Sequence, residues 1–131
     1  MTPDQIIEFV DKLYALSGTG QWDAIAELVT DDFFITEAAG LPMEGRFEGK
    51  HALRDLFIQV MGSLDVVGLD RVVTTAGGDY GVTLLSLRFA DPSLPPAEIA
   101  EVFRFRDGKL AEIKPYYFDP APVIAAAKAK A

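Results

Sequence analysis

The chain has no cysteine and only one histidine, His51. The first absence excludes disulfides, thiolate nucleophiles and thiolate metal sites. The second excludes any centre assembled from several imidazoles, and His51, close to Lys50 and Arg54, reads as the solvated start of a helix. Positive charge is scarce: 12 Lys and Arg stand against 20 Asp and Glu, a formal net charge of −8. A surface this acidic repels phosphate backbones and anionic headgroups, so neither nucleic acid nor a membrane is expected as a partner. No apolar run approaches the ~20 residues that span a bilayer. Met1 leads into TPDQIIEF with neither a basic nor a hydrophobic leader segment, which predicts a cytoplasmic protein. Phosphate loops, nucleophile elbows and kinase signatures are missing too. Asp31 and Asp32 have no nearby ligands to complete a metal site and read as a turn. Neither a metal nor an organic cofactor is expected.

What is present is the composition of one globular domain over residues 1–131, 50% apolar and 24% charged with nine Phe. Thr2, Pro3 and Asp4 suit the start of a helix. Ile6, Phe9, Val10, Leu13 and Leu16 then recur at helical spacing to about residue 17. A second short helix is predicted over residues 21–29, and a strand over 33–36 running into Glu37. Residues 38–48 read as a loop with a bridge at Arg46 and Phe47. A third helix is predicted over about 50–61, where Leu53, Leu56, Phe57, Val60 and Met61 share a face. Strand-like runs at 64–76, 80–90, 97–106 and 109–118 are separated by turn chemistry, implying an antiparallel meander. The tail over 120–131, Ala- and Lys-rich with little apolar face beyond Val123 and Ile124, reads as flexible or weakly helical. Together these elements predict an α+β fold: a cone-shaped, curved antiparallel sheet wrapped around a long N-terminal helix with two further helices. The open end of such a cone is a natural pocket.

One stretch carries unusual chemistry. In EIAEVFRFRDGKLAEIKPYYF, residues 98–118, period-two alternation puts Glu101 on the face that carries Ile99, Phe103 and Phe105. A carboxyl among such neighbours resists ionisation, because neutralisation costs less than burying an unpaired charge. The competing reading is a structural ion pair with Arg104, Arg88 or Arg46. Val102, Arg104 and Arg106 fall on the opposite face, a mixed apolar and basic surface that would suit a homodimer through the sheet.

GQWDAIAELVTDDFFITEAAG followed by GRFEGKHALRDLF resembles the helix, strand, loop and helix signature of the NTF2-like superfamily, in its SnoaL-like and ketosteroid-isomerase-like branch. EVFRFRDGKLAEIKPYYFD is similar to that branch's final hairpin, so the resemblance covers residues 5 to 119. It implies that Glu37 stands where those isomerases place a general base, and Glu101 where they keep a protonated acid that donates to an oxyanion. The bland alternative for Glu37 is a strand end in water. The resemblance puts Leu13 at the position of the branch's oxyanion Tyr, with Tyr14 turned away by about 100° of helix, and Phe57 in place of a supporting Tyr. It sets Tyr117 at the pocket mouth, while Tyr116 and Phe118 alternate to the other face; the alternative for Tyr117 is a core aromatic. An epoxide-hydrolase-like set would draw on Asp70, Arg71 or Arg88. The expected function is a pocket protein for a small apolar molecule, carbonyl-bearing or polycyclic. Its catalytic acids would be Glu37 and Glu101, acting in isomerisation or cyclisation, and its ligand contacts Tyr14, Phe57, Ile99, Phe103 and Tyr117. The competing class is a non-enzymatic binding or dimerisation module, since this superfamily hosts both.

Overall fold

Thr2 closes the start of the first helix reciprocally: its hydroxyl accepts from the Gln5 amide while the Gln5 side chain accepts from the Thr2 amide. In the computed structural model, which describes residues 1–131, this helix, α1, runs Pro3–Gly18 and buries Ile6, Val10 and Leu13, part of the predicted stripe. The second helix, α2 (Trp22–Ala26), is shorter than its apolar spacing suggests. Val29 and Thr30 already belong to strand β1 (Val29–Glu37), as β-branched residues favour. Asp31 and Asp32 do not break that strand; they are exposed on it and paired with Lys50 and Arg106. There follow β2 (Gly45–Glu48), α3 (Ala52–Ser63), β3 (Val66–Gly77), β4 (Tyr80–Phe89), β5 (Ala97–Arg106), β6 (Lys109–Tyr117) and α4 (Ala121–Lys130).

The six strands form one open, curved sheet in the order β2-β1-β6-β5-β4-β3. From β3 to β6 it is the antiparallel meander that the short turns dictate. Asp107 and Gly108, both at positive φ, make the tight turn between β5 and β6. One junction departs from an all-antiparallel sheet: β1 runs parallel to β6, with Ile35 opposite Ile113. No local turn specifies that pairing, because the two strands are far apart in sequence. Register shifts within β3 and between β5 and β6 bend the sheet so that its concave face receives α1 and α3.

The tail is α4, not a loose end. Val123 is fully buried and Ala126 nearly so, the helix touches α3, and Lys130 reaches Asp65 at 2.8 Å. Burial of Pro122, Val123 and Ala126 against existing structure orders a segment whose own amphipathicity is slight. No helix is long and apolar enough to cross a membrane.

Ile6 of α1 packs directly over Gly81 of β4. A Cβ built there would lie 2.8 Å from the Ile6 Cγ2 methyl. We expect Gly81→Ala to lower unfolding free energy by about 1–3 kcal/mol through overpacking, measured by urea denaturation. Adding Ile6→Ala to it should cost less than the sum of the two single losses; strict additivity would show that the two sites do not press on each other.

Candidate active site

Three adjacent strands deliver the site. On β5, Ile99, Glu101 and Phe103 point inward as alternation requires, with Glu101 opposite Thr83 of β4 and Pro115 of β6. On β1, Phe33, Ile35 and Glu37 share the buried face. The β1–β6 pairing ends at Ile35 and Ile113, two residues before Glu37 and Pro115. The two acids therefore flank Pro115, with backbones separated by roughly two strand spacings, about 9.5 Å. Pro115 has no N–H to donate, and although β6 stays paired with β5 through Pro115 to Tyr117, its pairing with β1 goes no further than Ile113.

Both acids line one small chamber of about 130 Å³, walled by Leu53, Leu56, Phe57 and Val60 from α3 and by Leu69, Leu85, Leu87, Ile99, Pro115 and Tyr117 from the sheet. No basic side chain lines it. Glu37 is 3% exposed, and its Oε1 is buried without a hydrogen-bond partner, so the reading of Glu37 as a strand end in water does not hold. Burial, followed by the nearby charge of Glu101, pushes the Glu37 carboxyl up to about 8. Burial also raises Glu101, and a hydrogen bond from Tyr14 works against that rise.

The ion pairs weighed for Glu101 do not form. Arg104 bonds Glu112 at 3.0 Å, Arg88 bonds Asp70 at 2.6 Å and Arg46 bonds Glu48 at 2.8 Å. Instead, the Tyr14 hydroxyl donates to Glu101 Oε1. This corrects the expectation that Tyr14 faces elsewhere: Leu13 is 3% exposed, yet its neighbour also meets the sheet. The concave sheet reaches around α1 far enough to cover both positions. Tyr14 is fixed edge-on against Phe103 and beneath the Arg71 guanidinium, 4.6 Å from its ring centre; Arg71 in turn bonds Asp11 at 2.9 Å. Burial and the adjacent Glu101 hold the Tyr14 phenol well above its usual range.

A chain of hydroxyls continues behind Glu101. Thr83, fully buried and directly opposite Glu101, shares a 2.8 Å hydrogen bond with Thr74. Neither Thr stood out in the sequence, although alternation along β4 places Thr83 on the inner face with Leu85 and Leu87. We expect Tyr14→Phe to raise the Glu101 pKa further, since it removes a bond that favours the ionised form, and to cost about 1–3 kcal/mol of stability. Carbon-13 NMR of labelled Glu and denaturant melts measure the two effects. An unmoved Glu101 titration would show the bond to be unimportant.

Of the other expected contacts, Phe57, Ile99 and Tyr117 line the chamber. Burial and then the charges of Glu37 and Glu101 raise the Tyr117 phenol. Phe103 does not line the chamber; it is fully buried in the core and braces Tyr14. Arg71, Asp70 and Arg88 share no inward-facing set, because Arg88 and Asp70 pair with each other at the exposed surface while Arg71 turns to Asp11. His51 lies at the start of α3, 3.7 Å from exposed Asp23. On the outer sheet face Arg104 and Arg106 pair with Glu112 and Asp32, while Lys114, opposite Val102, is exposed without a carboxylate partner.

An open α+β cone with an apolar chamber and two inward acids defines a class of small pocket domains. The SnoaL-like domain family model matches residues 10–113, and the chain belongs to that family. Solved structures agree in fold. An NTF2-like protein from Burkholderia xenovorans LB400 is 16% identical, with 97% of this chain and 98% of that one covered at a TM-score of 0.78. A protein from Jannaschia sp. CCS1 proposed to be a SnoaL-like polyketide cyclase is 19% identical, covering 97% and 94% at a TM-score of 0.76. A Sinorhizobium meliloti protein proposed to be a polyketide cyclase is 17% identical, covering 88% and 95% at 0.67. At these identities the likeness is one of fold. No curated protein matches the chain significantly.

Proposed function

We propose that the protein binds a small apolar carbonyl compound and moves a proton on it, as an isomerase or cyclase that works through Glu37 and Glu101. The observation that carries this reading is the opening of both acids onto one apolar chamber without a basic counterion. Glu37, with a free oxygen and a carboxyl near neutrality, suits a general base. In its ionised form it takes the proton from the carbon next to the carbonyl. The C–H electron pair passes into an enolate, whose oxygen accepts a hydrogen bond from protonated Glu101. Return of the proton from Glu37 to another carbon completes an isomerisation. For a cyclisation, the enolate carbon attacks a second carbonyl of the same molecule and the new alkoxide takes the proton. No net oxidation occurs in either case. The test is a pH-rate profile on enone substrates with Glu37→Gln and Glu101→Gln; unchanged rates in both variants would remove both assignments.

A second reading, a dimerisation module, is favoured by the outer sheet face. Val72, Leu84, Ala100, Tyr116 and Phe118 line a shallow groove there, and Val72 and Phe118 are 75% and 84% exposed. Arg104 pairs with Glu112 and Arg88 with Asp70, while Glu98 lines the groove without an ion-pair partner, so the patch is mainly apolar with one carboxylate in it. Leu84→Glu should reduce the mass seen by light scattering from dimer to monomer. A wild-type chain that is monomeric at high concentration would end this reading without touching the first.

A further inference from the structure

The chamber and its rim differ in kind. The chamber, about 130 Å³, is close to the ~150 Å³ cavity that accommodates benzene and below the ~300 Å³ at which pockets for drug-sized ligands begin. A fused polycycle does not fit it. Its rim lies between α3 and β3. The main packing of α3 is with β1, β2 and α4, while β3 is the edge of the sheet with no neighbour beyond it. Phe57 and Leu69, which line the chamber from these two elements, are 42% and 45% exposed, and Met61, one helical turn beyond Phe57, is also 42% exposed. Trp22 packs on the Phe57 ring at 5.2 Å and supports it from the α2 side. Phe57 and Leu69 therefore carry apolar surface from the chamber lining out to solvent, with Met61 exposed one turn further along α3.

We propose that the ligand has a head and a tail: a compact, uncharged carbonyl head of about six to eight heavy atoms in the acid-lined chamber, and an unbranched apolar tail across Phe57, Met61 and Leu69. The inference rests on the carbonyl reading above and narrows it, setting aside polycyclic ligands. The absence of any Lys or Arg in the lining disfavours a carboxylate or phosphate head beside two acids. A tail across these three side chains covers apolar surface that otherwise stays in water, and its contribution grows with each carbon that lies on them.

The test is a series of cyclohex-2-enones bearing no substituent or a propyl, pentyl or heptyl chain at the ring carbon farthest from the carbonyl, set against a fused three-ring enone. Binding is followed at pH 6 by isothermal calorimetry and by fluorescence of Trp22, the only Trp. Affinity should rise about two- to fourfold per methylene over the first carbons, and Met61→Ser and Leu69→Ser should flatten that slope. A flat series, or tighter binding of the three-ring enone, overturns the head-and-tail ligand while leaving the proton-transfer reading intact. If no enone of any size binds, both fall together.

Discussion

The unfolding free energy is expected to fall as pH rises from about 4.5 to 8, the reverse of what a surface of paired carboxylates alone would give. Glu37 is the main cause. Its carboxyl ordinarily titrates near 4.5 and is pushed up to about 8 in the fold, so the folded state holds its proton more tightly than the unfolded chain does. That preference is fully present below about 4.5, is lost progressively on the way to 8, and is gone above it. Glu101, also raised, acts in the same direction. Asp32, Asp70 and Asp91 are lowered, each chiefly by a side-chain hydrogen bond. Their contribution has the opposite sign, present above their unfolded range and lost only in stronger acid. The stability maximum should therefore lie in mild acid. The Glu37 share of the loss approaches about 4 kcal/mol, on the order of 10 °C in Tm for a chain of this size. Glu37→Gln carries no titrating group, so its melting temperature should change less between pH 5 and 8.5 than that of the parent. Scanning calorimetry across that range decides the matter. Parallel curves for parent and variant would mean that Glu37 is ionised in the fold at little cost.

The second large effect is on rate. If Glu37 is the base, Glu37→Gln should lower kcat/KM for an enone by about 10²- to 10⁴-fold, the usual contribution of a positioned proton-transfer group. The parent should show a rate that climbs with pH until about 8, where Glu37 is half ionised, because only the ionised fraction removes a proton. Glu101→Gln keeps an N–H that can donate to the oxyanion, so it should lose less than Glu101→Leu, which keeps none. The ordering matters as much as the size. Equal losses in the Gln and Leu variants would deny Glu101 a donor role, and a rate independent of pH between 6 and 8 would deny Glu37 the role of base.

The two effects draw on the same feature, a carboxyl held in apolar surroundings without a counterion. If Glu37 is the base, rate and stability should oppose each other there: the substitution expected to slow proton transfer is the one expected to stabilise the protein in mild alkali. Such opposition is expected where a polar group is kept in a costly environment for its chemistry.

The sequence by itself determined what depends on neighbours along the chain. The α1 stripe of Ile6, Val10 and Leu13, the Asp107-Gly108 turn and the four-strand meander follow from helical spacing, turn chemistry and alternation, each a property of a few consecutive residues. Glu101 was legible for the same reason, since a strand carries position 101 to the same face as 99 and 103 whatever it pairs with. Tertiary structure alone decided the rest. It placed β1 parallel to β6 and so brought Glu37 to the other side of Pro115 from Glu101; nothing between residues 29 and 37 encodes a partner some 78 positions away. It curved the sheet around α1 until Tyr14 met Glu101, although the stripe along α1 favours Leu13. It also ordered α4 by burying Val123. Periodicity fixes the direction of a side chain relative to its own backbone, and only the packing of distant segments fixes what that side chain meets.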